Sequence, residues 1–173
     1  MKRLLKIFHF FVLIACIILQ LTFVEHLNIF GINIDLILVA ITGIAIFDDI
    51  ILAIIYGFFA GLFIDLVSGN IIGISALIYA ISGFMTGSLV RVRVFKKIIN
   101  YILIIFLITE INLLLLSGAY YLFGFDISFR ELGLDLVINP IFNILAMLLL
   151  FPVLRAGRRR KEEIGFIYYK DKI

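Results

Sequence analysis

Long apolar runs, separated by short polar interruptions, make up most of the chain. A membrane-crossing helix needs about 20 predominantly apolar residues, with a range of roughly 17–25. Runs near that length occur six times, over residues 7–24, 34–47, 50–67, 71–90, 98–123 and 133–154. They are continuously apolar and do not alternate as barrel strands would. The pattern predicts six transmembrane helices in one membrane domain over 1–173. Asp48 and Asp49 predict a tight hairpin after the short second run.

Composition supports a membrane protein over a soluble one. The chain has 173 residues, of which 64% are hydrophobic and 16% are charged, and its mean hydropathy is +1.23. Soluble domains are roughly 45–50% apolar and about 25% charged. A soluble globule of this size has too little interior to hide so much apolar surface. The fold class predicted is therefore an all-α polytopic membrane protein, and its single cysteine excludes an internal disulfide.

The basic residues predict the orientation of the helices. With six spans and both termini in the cytoplasm, 14 of the 15 Lys and Arg lie on the cytoplasmic side, and only Arg130 lies outside. This asymmetry is the one that cytoplasmic loops carry. The tail over 155–173 is predicted to contact anionic lipid or an acidic cytoplasmic partner, and we expect no nucleic-acid binding. The residues proposed for this contact are Arg155, Arg158, Arg159, Arg160 and Lys161.

Small residues recur along the third and fourth runs at helical spacing. On the third, Ala53, Gly57 and Gly61 are four residues apart. The fourth repeats at intervals of 3, 4, 3 and 4, through Gly73, Ala76, Ala80, Gly83 and Gly87. Small side chains let two helices in lipid approach closely. The pattern leaves two interpretations open, namely packing of these two helices on each other or a docking groove for a partner's transmembrane helix.

Asp65 lies four residues after Gly61, near the predicted outer end of the third run. We expect its carboxylate to cap the turn that follows, close to Ser68 and Gly69. Gly69 and Gly73 bracket that turn. A contact with a partner and a cation site are the alternative roles for this acid.

Glu110 is placed deep in the fifth run. It lies about 12 residues, or roughly 18 Å, from the inner end, where a charge costs about 2.5–3.5 kcal/mol on insertion scales. We therefore expect Glu110 to be protonated or hydrogen-bonded and to face the bundle interior. In the sixth run, Asp135, Asn139 and Asn143 are spaced four apart. We predict a Glu110–Asn143 hydrogen bond within a buried polar staple of Glu110, Asn139 and Asn143, with ion or substrate handling as the alternative.

The residue patterns of catalysis are missing from the sequence. It contains no phosphate-binding loop, no His/Cys cluster at metal-ligand spacing, and no nucleophile with a plausible histidine base. We predict no catalytic site, no metal site and no cofactor.

Residues 56–87 carry a resemblance to a known family. Gly57, Phe58, Gly61, Leu62 and Asp65, then Gly73, Ala76 and Leu77, resemble the glycine-rich pattern of MreD, the rod shape-determining membrane protein family of bacteria. Weaker matches are Asp35-Leu36, Glu110, Pro140, Asn143 and Pro152. Asp48-Asp49 departs from the family, in which this hairpin is more often basic or polar.

The resemblance implies that the protein is not an enzyme but a scaffold of the cell-elongation machinery (elongasome) in the bacterial cytoplasmic membrane. Such a protein would bind the transmembrane helix of MreC and couple the MreB filament to lateral peptidoglycan synthesis. RodA and a class-B penicillin-binding transpeptidase would be its indirect partners. The family is also similar in fold to the S components of energy-coupling-factor vitamin transporters. That similarity supplies the alternative, a small-molecule-binding subunit with a pocket at its outer side.

Overall fold

The chain folds into helices connected by short turns. The computed structural model describes the backbone of residues 2–24, 34–69, 71–91 and 98–170, and the side chains of 6–22, 34–69, 71–91 and 99–154. In these residues the elements are α1 (Lys2–Leu19, continued by a π-helical turn over Gln20–Val24), α2 (Leu36–Phe47), α3 (Ile50–Ser68), α4 (Ile74–Arg91), α5 (Ile98–Leu122) and α6 (Phe129–Lys170).

The predicted all-helical membrane class is confirmed. Four helices are long and apolar enough to cross a membrane, over Ile50–Ser68, Ile74–Arg91, Ile99–Leu122 and Phe129–Leu154. Two shorter apolar helices cover Lys6–Thr22 and Leu36–Phe47. The six-span topology, the cytoplasmic termini and the likeness to S components stay predictions.

Helix α2 lies at the centre of the bundle. Every residue from Ile37 to Phe47 is buried, and α2 packs against α1, α3, α4, α5 and α6. A helix that is hydrophobic all round has no face suited to water and is buried on all sides. With 12 residues, α2 is only about 18 Å long, whereas the hydrocarbon core of a bilayer is about 30 Å thick.

Successive helices run in opposite directions, which gives the bundle two ends. We call the end with the start of α1, the α2–α3 turn and the end of α4 the basal end, and the opposite one the distal end. The α3–α4 and α5–α6 turns are distal. The basal end is the one that the basic residues predict to be cytoplasmic.

The outward faces of the helices expose large apolar side chains. Phe59 of α3, Phe106 of α5 and Leu149 of α6 are among them. A continuous exposed apolar surface of this kind suits a hydrocarbon surrounding and not water.

Helix α6 is longer than the span predicted for it. The span over 133–154 ends where the apolar residues end, but the helix continues to Lys170. The added segment is rich in Arg, Lys and Glu, which have good helix propensity. Pro140 and Pro152 lie within the helix without ending it. The change to polar residues therefore ends the apolar segment, not the helix.

Candidate functional site

Helices α3 and α4 pack backbone to backbone along the small-residue stripes. A Cβ atom added at Gly57 would lie 2.7 Å from the carbonyl oxygen of Tyr79, and one at Gly61 would lie 2.5 Å from the Cα of Ala76. A Cβ at Gly83 would lie 3.0 Å from the backbone of Ala53. Side chains larger than hydrogen do not fit at these distances. The glycines therefore let the two backbones touch.

This packing occupies the small-residue surface for which a docking groove was one of the two interpretations. Gly57, Gly61 and Gly83 face the partner helix within the chain, and Gly87 faces the side chain of Ile50. A third helix could enter only by separating α3 from α4. The docking interpretation of this stripe is therefore wrong, because the chain itself occupies the close-approach surface.

Gly69 and Gly73 belong to the turn and not to the packed stripe. Their φ angles are 69° and 100°, and an added Cβ would meet nothing within 4 Å. Both angles lie in the left-handed region that favours glycine. Gly69 also ends α3 as its C-cap, so these two residues reverse the chain.

Asp65 ties this turn to the start of α4. Its carboxylate is fully buried, and Oδ2 accepts hydrogen bonds from the backbone N–H groups of Gly73 (2.8 Å), Ser75 (3.1 Å) and Ala76 (3.4 Å). The predicted capping role holds, but the predicted target does not. The free N–H groups belong to the next helix because the turn brings the start of α4 beside the last turn of α3. Asp65 Oδ1 has no hydrogen-bond partner.

A second acid, Asp35, is half-buried and caps the start of α2. Asp35 Oδ1 accepts a 2.8 Å hydrogen bond from the Leu38 N–H, as an N-cap residue does. Asp35 Oδ2 accepts a 2.9 Å hydrogen bond from the Tyr79 hydroxyl of α4. The acid therefore joins two helices as well as ending one.

Two amide side chains satisfy the remaining backbone groups at this helix start. Gln20 Oε1 accepts from the Leu36 N–H and its Nε2 donates to the Ile34 carbonyl, both at 2.9 Å. Asn143 Oδ1 accepts from the Asp35 N–H at 2.9 Å, and its Nδ2 donates to the Thr109 hydroxyl at 3.2 Å. We call Gln20, Asp35, Tyr79, Thr109 and Asn143 the α2 cap cluster. It joins α2 to the end of α1 and to α4, α5 and α6.

The predicted Glu110–Asn143 hydrogen bond does not form. Asn143 binds Thr109, the neighbour of Glu110 on α5, together with the Asp35 backbone. Glu110 Oε1 has no hydrogen-bond partner. The two residues were matched by depth, but successive helical positions point about 100° apart. Thr109 is therefore the residue that meets Asn143.

Glu110 is half-buried, and its Oε1 is covered by the chain. The fully buried residues of α5 lie towards another side of the helix, and they include Ile104, Ile105, Ile108 and Asn112. That Glu110 faces the bundle interior stays a prediction. Asn139, the third member of the predicted staple, is buried, but its Oδ1 has no partner. The buried polar contact between α4 and α5 is instead a 3.2 Å hydrogen bond from Asn112 Nδ2 to the Ser82 hydroxyl.

A contact between two polar side chains joins α1 to the α2–α3 turn at the basal end. His9 Nδ1 lies 3.0 Å from Asp48 Oδ2, and the His9 side chain is fully buried. The adjacent Asp49 caps α3 by accepting from the Ile51 N–H at 3.1 Å. The two aspartates that depart from the resembled family thus have separate roles, since Asp48 contacts the His9 imidazole and Asp49 caps α3.

An open cleft of about 380 Å³ lies between the distal ends of α5 and α6. Its lining is polar and acidic, and includes Ser117, Tyr120, Asp126, Glu131 and Asp135. Within the residues that the structure describes, no group of three or more His, Cys, Asp or Glu is arranged to hold a metal ion. The side chains of Arg155, Arg158, Arg159, Arg160 and Lys161 lie outside the described residues, so their lipid contact stays a prediction.

Several residues that complete these contacts were not predicted from the sequence. Gln20, Thr109 and Asn112 are single polar positions within apolar runs, and that isolation is a signal for a buried partner. Tyr79 and Ser82 carry no comparable signal, because hydroxyl side chains are common in membrane helices. His9 is an ionisable residue in an apolar run, and its partner could not be chosen from spacing alone.

Comparison with known proteins gives the family. The family model for the rod shape-determining protein MreD matches residues 1–157. The chain belongs to the MreD family. MreD is a family of structural, shape-determining membrane proteins and not a known enzyme family. No curated protein and no solved structure matches the chain. The family match extends over α1–α5 and the apolar part of α6, so it includes both the α3–α4 packing and the α2 cap cluster.

Proposed function

We propose that the chain is a non-enzymatic, multi-pass scaffold of the cell-elongation machinery in the bacterial inner membrane. It binds MreC and, through MreC, couples the MreB filament to lateral peptidoglycan synthesis by RodA and its class-B transpeptidase. The observation that carries the proposal is the match to the MreD family over residues 1–157.

The way in which buried polar groups are used supports a scaffold. Asp35 and Asp65 cap helices, and Asn143 joins three helices through two hydrogen bonds. Each of these groups has a packing role, which stabilises one arrangement of the helices. A rigid bundle with large apolar outward faces suits a protein whose work is to hold other membrane proteins.

The test is depletion of the chain in its own bacterium. Loss of the chain is expected to turn rods into spheres, and resupply of the wild type is expected to restore rods. Tagged chain should copurify MreC from mild detergent. Gly133→Ala is a matched expression control, because a Cβ at Gly133 meets nothing within 4 Å. Rods that persist after complete depletion would contradict the scaffold, and a chain that restores rods without retaining MreC would contradict the proposed partner.

A second candidate function is small-molecule binding by an S component of a vitamin transporter. The observation that favours it is the cleft between α5 and α6, whose lining combines Tyr120 with Asp126, Glu131 and Asp135. An acidic cleft would select a cationic molecule. Purified chain should then be stabilised against heat by a cationic vitamin such as thiamine, and Asp135→Asn should abolish the stabilisation. Unchanged melting with a panel of vitamins would exclude this function.

A further inference from the structure

Helices α4 and α5 are in contact at one level and separate towards the distal end. Asn112 of α5 donates a 3.2 Å hydrogen bond to the Ser82 hydroxyl of α4, and both side chains are buried. The two helices run in opposite directions. Six residues further towards the distal end on each helix, Gly118 would lie beside Ala76 if the helices stayed together. An open groove of about 820 Å³ lies between the two helices there instead.

The walls of this groove are apolar, and the α5 wall contains small residues. The lining includes Ile74 and Leu77 on α4, and Leu114, Gly118 and Ala119 on α5. A Cβ atom added at Gly118 would meet nothing within 4 Å, whereas the glycines between α3 and α4 touch the facing helix. Small residues let two membrane helices approach closely. The surface at Gly118 is therefore suited to a helix contact that the described arrangement does not make.

The distal part of α5, which we define as residues 113–122, has open space on both flanks. The groove lies on the side of α4, and the acidic cleft between α5 and α6 touches Ser117 and Tyr120 on the other side. In the described part of the chain, the hydrogen bonds made beyond Ser117 stay within α5 and the α5–α6 turn, such as the 3.1 Å bond from the Phe125 N–H to the Tyr120 carbonyl. Leu122 is 85% exposed. This part of the helix is therefore less constrained than the part that Asn112 holds against α4.

The sequence of α5 provides a place to bend. Ser117 and Gly118 are adjacent, and sharp bends in helices occur at Gly/Ser pairs. Glycine is also a poorer helix former than every residue except proline. Residues 123–128 connect α5 to α6 without forming a helix. The distal part of α5 can therefore tilt without moving α6 by the same amount.

We propose that the distal part of α5 closes on α4 over the groove, and that the described structure is the open state of this switch. In the closed state Gly118 packs beside Ala76 and Leu77. This contact continues the one that Asn112 and Ser82 already make. Close packing at small residues is a main attraction between helices in lipid. The rest of the bundle, held by the α2 cap cluster, keeps its arrangement. The proposal does not rest on the scaffold function.

Closing the groove also changes the acidic cleft, because the same part of α5 separates the two openings. Tilting towards α4 moves Ser117 and Tyr120 away from Glu131 and Asp135 of α6, and the cleft between them widens. The switch thus links an apolar surface within the membrane to a polar opening at the distal end. A molecule that prefers the wider cleft would favour the closed groove.

Disulfide trapping in phospholipid vesicles tests the closure with the full chain. The single cysteine, Cys16, is replaced by Ala. Ile72→Cys and Leu122→Cys are then introduced on opposite walls of the groove, where both side chains are exposed. A disulfide needs the two Cα atoms to lie within roughly 7 Å, so its formation reports that the walls approach each other. We expect an oxidant to form an intramolecular crosslink. No crosslink, or a crosslink only between two chains, would overturn the proposal.

A wedge at Gly118 shows whether the crosslink depends on closure. Gly118→Leu fits the open state, since nothing lies within 4 Å of an added Cβ, but it fills the space that closure needs. It is expected to abolish the crosslink. Gly133→Leu is the matched control, because this glycine of α6 is equally open and does not line the groove, and it should leave the crosslink unchanged. An unchanged crosslink with Gly118→Leu would overturn the proposal. Loss of folding in Gly118→Leu, measured by thermal unfolding, would also overturn it, because the open state accommodates the leucine.

Fluorescence gives a second readout without introduced cysteines. The chain has no tryptophan, so Tyr121→Trp places a single one in the groove lining. In vesicles of brominated phospholipid, acyl chains that enter the open groove quench it, whereas closure excludes them. Quenching should be stronger when Gly118→Leu is added, and unchanged when Gly133→Leu is added. Equal quenching in all three proteins would mean that lipid fills the groove permanently, and would overturn the proposal.

Discussion

The backbone N–H of Asp35 donates a 2.9 Å hydrogen bond to Oδ1 of Asn143, 108 residues further along the chain. A side chain of α6, the last helix, thus accepts a hydrogen bond from a backbone N–H group at the start of the central helix α2. Asn143 also donates to Thr109, so the same amide joins α2, α5 and α6. An amide can do this because it carries both an acceptor and two donors.

Replacing the buried Asn143 with leucine should destabilise the bundle by about 1–3 kcal/mol, because the half-buried Asp35 N–H and the Thr109 hydroxyl would both lose a described partner. Asn139→Leu is the matched control. Asn139 is buried one turn away, but its Oδ1 has no partner, so its replacement should be neutral or stabilising. Thermal unfolding of both variants in detergent measures the difference. Equal melting temperatures would contradict the role assigned to Asn143.

Gly61→Ala should lower stability by about 1–3 kcal/mol, the usual effect of overpacking. The new methyl group would lie 2.5 Å from backbone atoms of Ser75 and Ala76, and α3 and α4 would have to separate. Gly133→Ala should not lower it, since nothing lies within 4 Å of that position. Melting temperature and the yield of monodisperse protein are the readouts. A Gly61→Ala protein as stable as Gly133→Ala would mean that the two backbones are further apart than described.

Asp65→Leu should expose the start of α4. The carboxylate accepts three backbone hydrogen bonds there, and without it the amides of Gly73, Ser75 and Ala76 should exchange with deuterium faster. Asp65→Asn keeps an acceptor and should show a smaller effect. Asp126→Asn, at an exposed position in the α5–α6 turn, serves as the control. Hydrogen exchange by mass spectrometry would contradict the capping role if Asp65→Leu left these amides protected.

His9 and Asp48 should behave as a coupled pair in a double-mutant cycle. His9→Leu removes the side chain that contacts Asp48 Oδ2, and Asp48→Leu removes the partner of the buried His9 Nδ1, whereas the double variant removes both side chains. The coupling is expected to lie within about 0.5–3 kcal/mol, as for other contacting residues. Thermal unfolding of the two single variants, the double variant and wild type measures it. Additive effects would show that the 3.0 Å contact does not contribute to stability.

Helices were predictable from the sequence because hydrophobic length and run boundaries act locally. The predicted turn at Asp48-Asp49 agrees with α2 ending at Phe47 and α3 beginning at Ile50. The small-residue stripes likewise indicated a close contact between helices, although only the structure shows that α3 and α4 make it with each other. The end of α6 could not be read from hydropathy, since polar residues end a membrane span without ending a helix.

Contacts between helices were less predictable, because the depth of a residue in the membrane does not determine which neighbouring helix its side chain faces. Glu110 and Asn143 lie at similar depth, but Thr109 is the residue that meets Asn143. Neighbouring residues of a helix point about 100° apart. Thr109 therefore contacts Asn143, whereas the adjacent Glu110 points in another direction. Asp65 shows the same limit, since its capping role followed from its position while its target depended on how the turn folds back.

The cap at the start of α2 also has a consequence for the order in which the chain is built. Gln20 is synthesised before α2, but Tyr79 follows two helices later and Asn143 arrives with the last one. A 12-residue segment with a polar start cannot be stable alone in a bilayer, because it is too short to reach both surfaces. The ribosome therefore delivers α2 when only Gln20 of its cap has been made. The cap is completed by the last helix, although α2 is the second helix to be made.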